Sequence, residues 1–153
     1  MDRSIVITRT FNAPRELVWK VWTDAEYLAQ WWGPHGWSLS LNEMDFRPGG
    51  TWLYCMEGPD DMQSCGRSEY QEIVEPERIV YTDYFADSDG NISQQMPAAR
   101  VSVEFTEVGG RTQVVTTSEY PTTADRDRVL EMGMEAGTKE TLDRAEALLA
   151  SLV

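Results

Sequence analysis

The sequence predicts an α+β protein in which one curved antiparallel sheet, about six to seven strands wide, wraps around a long C-terminal helix. Three observations predict it. From about Thr123 to Leu152 the apolar residues recur at helical spacing. Between Trp37 and Tyr120 the pattern alternates with the period of a strand, in segments joined by links too short for parallel crossovers. Ahead of that run stand a single strand and a pair of short helices.

Arg3 to Phe11, rich in Ile, Val and Thr, reads as the first strand. Asn12-Ala13-Pro14 opens a helix with Pro at its first position, and Leu17, Val18, Val21 and Trp22 form its apolar face. Asp24 is the expected N-cap of a second short helix that carries Leu28, Trp31 and Trp32 and is stopped by Gly33-Pro34.

Strands then follow one another. Trp37 to Phe46 turns at Arg47-Pro48-Gly49-Gly50, where Pro then Gly suits a type II turn and Asp45 and Arg47 brace it. Thr51 to Glu57 leads through Gly58-Pro59-Asp60-Asp61-Met62 into Gln63 to Val74. Glu75-Pro76-Glu77 turns that strand into Arg78 to Ala86. The loop around Asp87-Ser88-Asp89-Gly90-Asn91 precedes Arg100 to Glu107, and Gly109-Gly110 closes a hairpin onto Thr112 to Tyr120. Val101, Val103 and Phe105 share one face; Arg100, Ser102, Glu104 and Thr106 share the other, so the sheet has one dry side and one wet side. If the first hairpin of the meander pairs as its loop suggests, Trp52, Tyr54 and Met56 stand opposite Ser68, Gly66 and Ser64.

In the C-terminal helix, Leu130, Met134, Thr138, Thr141, Ala145, Leu148, Leu149 and Leu152 form the buried stripe. Glu135, Lys139, Glu140, Asp143, Arg144 and Glu146 form the solvent side. Unbroken, such a helix is about 40 Å long. Gly133 and Gly137 lie one turn apart on it, each costing about 1 kcal/mol relative to Ala. That weakness predicts a helix anchored near Leu148 and standing off from the sheet near Gly137. A second apolar stripe, Val129, Met132 and Ala136, raises the expectation of a homodimer.

Composition narrows the function. A single domain over residues 1–153 is long enough for a real core. The chain carries 26 acidic against 13 basic residues, a formal net charge of -13, which repels phosphate backbones and anionic lipid. Nucleic acid and membrane are therefore not expected partners. No signal-peptide pattern or membrane-length apolar run stands out, so a cytoplasmic location is expected. The two cysteines, Cys55 and Cys65, lack metal-site spacing and are expected as reduced thiols, although opposition on a hairpin would allow a disulfide. One histidine, His35, in a loop composition, leaves no metal centre to build. No cofactor motif appears: phosphate loop, dinucleotide fingerprint and Gly-x-Ser-x-Gly elbow are all missing. The 87–91 segment lacks the glycine and closing glutamate of a calcium loop, and reads as a turn.

The candidate site is aromatic. Trp22, Trp31, Trp52, Tyr54 and Met56 from the first half of the chain are expected at a pocket for a small hydrophobic or aromatic molecule. Tyr70, Tyr81, Phe85, Val101 and Val103 join them from the later strands, and Met134 and Thr138 from the helix. The plain alternative is that these side chains simply fill the core. Asp83 shares the inward parity of Tyr81 and Phe85; a carboxylate there would have a raised pKa and is the one weak candidate for acid–base chemistry.

With these residues assembled, the chain resembles the START-like (SRPBCC) helix-grip superfamily. Within it, the chain is similar to the branch named for the C-terminal domain of the activator of heat-shock-protein-90 ATPase. The carriers are Phe11-Asn12-Ala13-Pro14 with Val18-Trp19, Trp31-Trp32-Gly33-Pro34, and Asp45-Phe46-Arg47-Pro48-Gly49-Gly50. Tyr84-Phe85-Ala86-Asp87 with Gly90-Asn91, then Glu131 through Gly137, and Thr141-Leu142-Asp143 continue it over nearly the whole chain. The resemblance implies the helix-grip fold. It leaves function open among ligand binding, a cyclase, dehydratase or hydrolase using the same cavity, and a chaperone-interaction domain. One departure matters: members often carry Gly-Trp where this chain has Gly137-Thr138, which implies a larger or wetter pocket here.

Overall fold

The computed structural model describes residues 3–153. Seven strands form one antiparallel sheet: β1 (Ser4–Phe11), β2 (Ser38–Met44), β3 (Thr51–Glu57), β4 (Gln63–Val74), β5 (Arg78–Ala86), β6 (Ala99–Val108) and β7 (Arg111–Glu119). Their order across the sheet is β1-β7-β6-β5-β4-β3-β2, so each tight link joins neighbours and β1 returns to the far edge beside β7. Two short helices, α1 (Arg15–Thr23) and α2 (Ala25–Trp31), follow β1. The Asp24 side chain accepts the Glu26 N–H as the expected N-cap of α2. Among the described residues no helix is long and apolar enough to cross a membrane.

Alternation puts the core on the concave face. Val101, Val103 and Phe105 are buried, while Arg100, Glu104 and Thr106 are exposed on the convex side. The helical platform packs against one end of that face: the Trp19 and Phe105 rings meet edge-on at 5.2 Å, and Trp22 and Trp31 pack tilted at 4.6 Å. Two polar side chains caught in this packing find carbonyl partners. The Trp31 indole donates to the Val21 carbonyl at 2.9 Å, and the Thr112 hydroxyl to the Ala13 carbonyl at 2.8 Å.

The C-terminal segment departs from the expected single rod. It forms α3 (Thr123–Glu131) and α4 (Met134–Leu152), separated at Met132 and Gly133. Gly133 has φ +84°, the left-handed region that only glycine enters without a Cβ penalty, and its N–H caps the Leu130 carbonyl at 3.1 Å. The break also separates the second apolar stripe. Val129 is buried in its own chain at 5% exposure, whereas Met132, at 57%, and Ala136 are exposed.

The charged side of α4 is only partly a solvent face: Glu135, Lys139 and Glu146 are exposed, while Glu140, Asp143 and Arg144 are half-buried. Asp143 and Glu146 receive the Arg9 guanidinium from β1 at 2.7 and 3.3 Å. Arg144 reaches the other way, into the loop after α2, donating to the carbonyls of Gly33 at 2.8 Å, Trp37 at 3.0 Å and Gln30 at 3.2 Å. Glu140 accepts the His35 backbone N–H at 3.2 Å. Between these polar flanks Ala145 and Leu149 are buried, as expected of the anchored end. Near Gly137 the helix meets the loop after α2: a Cβ built there would touch Pro34 at 3.6 Å and nothing else within 4 Å.

Local turns follow their sequences. Gly49 takes φ +84°, Gly50 donates to the Arg47 carbonyl at 2.8 Å, and Arg47 pairs with Asp45 at 2.9 Å. Asp87 Oδ1 accepts the N–H groups of Asp89 and Asn91, which makes the 87–91 segment a self-braced turn. The expectation of reduced thiols is overturned. Cys55 and Cys65 are directly opposed on β3 and β4, with Cα atoms 4.0 Å apart, and form a disulfide.

Candidate functional site

Strand register builds the site on the concave face. Trp52, Ser68, Asp83 and Ala99 lie in one row across β3, β4, β5 and β6. Two residues along each strand on one side, the row reads Tyr54, Gly66 and Phe85; on the other it reads Tyr70, Tyr81 and Val101. Tyr120, just past β7, is buried and close enough for the Asp83 charge to raise its pKa. Asp83 therefore has small residues on both neighbouring strands and aromatic rings around them.

Tyr54 occupies the space its partner leaves. A Cβ on Gly66 would collide with the Tyr54 hydroxyl, so the small residue opposite this aromatic admits the ring. Trp52 is fixed from the other side, its indole donating to Asn42 Oδ1 at 2.8 Å while Asn42 donates to the Ala25 carbonyl at 2.8 Å. Its ring lies 4.4 Å from Tyr54 and 4.9 Å from Trp32.

Electrostatics single out Asp83. Its side chain makes no hydrogen bond or ion pair with a described residue, and burial pushes its carboxyl up to about 7. It nonetheless keeps some accessible surface, and its row neighbours Trp52 and Ser68, rather than Asp83 itself, line the open space beside it. Burial, reinforced by the Asp83 charge, holds the Tyr54 and Tyr81 phenols well above their usual range and moves Tyr120 up to about 12. A proton can rest on Asp83 near neutrality, while the phenols stay protonated donors.

The space beside this row measures about 20 Å³ and is walled by Trp22, Leu28, Trp32, Phe46, Trp52, Ser68, Tyr70, Ile79, Tyr81 and Val103. That is room for one water, far below the roughly 300–1,000 Å³ of a small-molecule pocket. Of the residues expected from sequence, Trp22, Trp52, Tyr70, Tyr81 and Val103 border this space. Trp31 and Val101 are buried in the core, and Tyr54 packs over Gly66. Met56 lies against Gly33, and Phe85, Met134 and Thr138 are half-buried around the concave face. Trp32, Phe46, Ile79, Ser68 and Tyr120 were not among the expected residues. Ser68 carried a signal, as a small residue opposite a tryptophan; Tyr120 carried one too, since it ends the expected Thr112–Tyr120 strand in phase with Thr112, Val114 and Ser118, all buried. Among the described residues no three His, Cys, Asp or Glu side chains gather as a metal site.

Comparison with known proteins gives a consistent picture. The family model described as "Activator of Hsp90 ATPase homolog 1-like protein" matches residues 12–150. A crystal structure of a Mycobacterium smegmatis protein is 31% identical, covering 96% of this chain and 90% of that one, with a TM-score of 0.89. A solution structure from Staphylococcus epidermidis is 34% identical, covering 100% and 93%, with a TM-score of 0.87. An Arthrobacter aurescens protein, 29% identical over 97% and 87%, superposes with a TM-score of 0.91. No curated protein matches the chain.

Proposed function

The chain belongs to the Activator of Hsp90 ATPase homolog 1-like family, and from that premise we propose that it binds a small hydrophobic or aromatic molecule between the concave sheet face and α4. The observation that carries this reading is the Ser68–Asp83–Ala99 row: small residues and an unpartnered carboxylate among aromatic rings, with the open space at its edge. A core built only for stability would not retain a buried carboxylate without a partner.

A ligand needs more room than the present 20 Å³. The helix break at Gly133 supplies a way to make it, because α3 can swing without unwinding α4. In this structure Arg128 on α3 holds the 93–98 loop, donating to the Gln95 carbonyl at 2.9 Å and touching Met96 Sδ at 3.3 Å. Breaking that exposed latch costs little.

A second reading is an enzyme of the cyclase, dehydratase or hydrolase kind. It is favoured by the Asp83 carboxyl near 7, the value a general acid or base at neutral pH needs, beside tyrosine donors. A third, a chaperone-interaction domain, follows from the family's name alone.

Native mass spectrometry of the protein purified from its own cells tests the first reading. A co-purified small molecule whose binding shifts the Trp22, Trp32 and Trp52 indole N–H signals supports it. No bound molecule, together with no indole response to a library of aromatic compounds, overturns it.

A further inference from the structure

The row that holds Asp83 has the form of a trough. Its floor is Ser68, Asp83 and Ala99, in register on three adjacent strands. Trp52 closes one end, opposite Ser68, and Tyr120 stands at the other, next after β7. Tyr81 forms one long wall and Phe85 the other, each two residues from Asp83 on β5, with the Tyr54 ring over Gly66 beside Phe85. A carboxylate at the floor of an aromatic box offers a negative charge and several ring faces, and both attract a cation.

Among the described residues no cation answers that charge. Among the described residues, the groups that share electrostatic contact with Asp83 are the phenols of Tyr54, Tyr81 and Tyr120, from β3, β5 and the end of β7, with no Lys, Arg or His beside them. Cations on other elements have partners of their own: Arg67 with Glu69, Arg9 with Asp143, and Arg128 with the Gln95 carbonyl and Met96 sulfur. The Ser68 side chain borders the open space and can accept or donate there. The net charge of -13 draws cations toward the surface and discourages anions.

Building on the proposed ligand site, we propose that the trough takes a small molecule bearing a protonated amine, its N–H groups on Asp83 and Ser68 and its apolar body among the surrounding rings. Carboxylates and phosphates are excluded by the same arrangement. Because a bound ammonium holds Asp83 ionised, binding near neutral pH expels the proton that burial favours on that carboxyl. Affinity for an amine therefore rises with pH through about 7, until the amine itself loses its proton.

The test compares three probes of similar size on the full chain by calorimetry and by the Trp52 indole signal: 2-phenylethylamine, 2-phenylethanol and phenylacetate. The amine should bind at least about tenfold more tightly than the alcohol, and phenylacetate most weakly. Asp83→Asn, with Ser68→Ala as a second variant and folding checked by amide spectra, should erase the amine's advantage and leave alcohol binding nearly unchanged. Alcohol and amine binding equally at Trp52 would overturn the amine assignment while leaving an aromatic ligand site standing. An amine preference that survives Asp83→Asn would place the cation elsewhere and overturn it too. No response to any probe, with none to a wider aromatic library, would bring down both.

Discussion

The Tyr54 hydroxyl stands where a side chain on Gly66 would project. The pair is directly opposed across β3 and β4, so the ring can bend over its partner only because the partner has no Cβ. Gly66→Ala should displace Tyr54 and cost about 1–3 kcal/mol through overpacking. Thermal melting checks this, and a Tyr54→Leu background should absorb most of the loss, because the two sites share one volume. Equal losses in both backgrounds would show that the glycine serves its own backbone.

Arg144 is the tie between α4 and the loop after α2. Its guanidinium meets the carbonyls of Gln30, Gly33 and Trp37, with longer contacts to Trp32 and Pro34. Arg144→Met keeps the aliphatic stem but leaves those carbonyls short of donors, and should cost about 2–3 kcal/mol in urea unfolding. Arg144→Lys should restore only part, since an ammonium cannot span the same set.

The sheet was largely legible in the sequence and the helix less so. Alternation in β6 and the turn at Pro48-Gly49 located strands within a residue or two. The Trp52–Ser68 and Tyr54–Gly66 oppositions were likewise readable from loop length alone. Gly133 was visible but ambiguous: Leu130 and Met134 continue one helical stripe across it, so periodicity cannot distinguish a loose turn from a break. Arg144 was read as solvent-facing because helical spacing reports polarity, and a polar side chain serving buried carbonyls looks the same. Asp83 faces inward as parity predicts, since β5 runs without a bulge through it. The disulfide was open on geometry, and compartment reasoning chose the wrong alternative. The extent of the open space is set by how rings tilt, which no residue pattern encodes.

Asp83 should give stability a particular pH dependence. Its folded pKa, about 7, lies above the ordinary 3.8, so between those values the folded chain keeps a proton that the unfolded chain has released. The group's contribution is fully present below the unfolded value and is lost as pH rises through about 7, a change of roughly 4 kcal/mol at most. Asp83→Asn removes the titration. The stability of the variant relative to the parent should therefore climb between about pH 4 and pH 7 and level off above. A difference that is flat in pH would show the carboxylate to be solvated or paired.

Thr138 is half-buried on the first turns of α4, next to the Gly137–Pro34 contact. Thr138→Trp should fill space between α4 and the sheet and weaken 2-phenylethylamine by at least about tenfold, with little change in melting temperature. Unchanged affinity would show that residue 138 faces away from the ligand.

The account depends most on a carboxylate held among rings, with no cation against it among the described residues. Carbon-detected NMR titration of the Asp83 side chain measures that directly. The predicted midpoint is about 7, moving down when 2-phenylethylamine is added. A midpoint near 4, the ordinary carboxylate value, with no response to the amine, would contradict it.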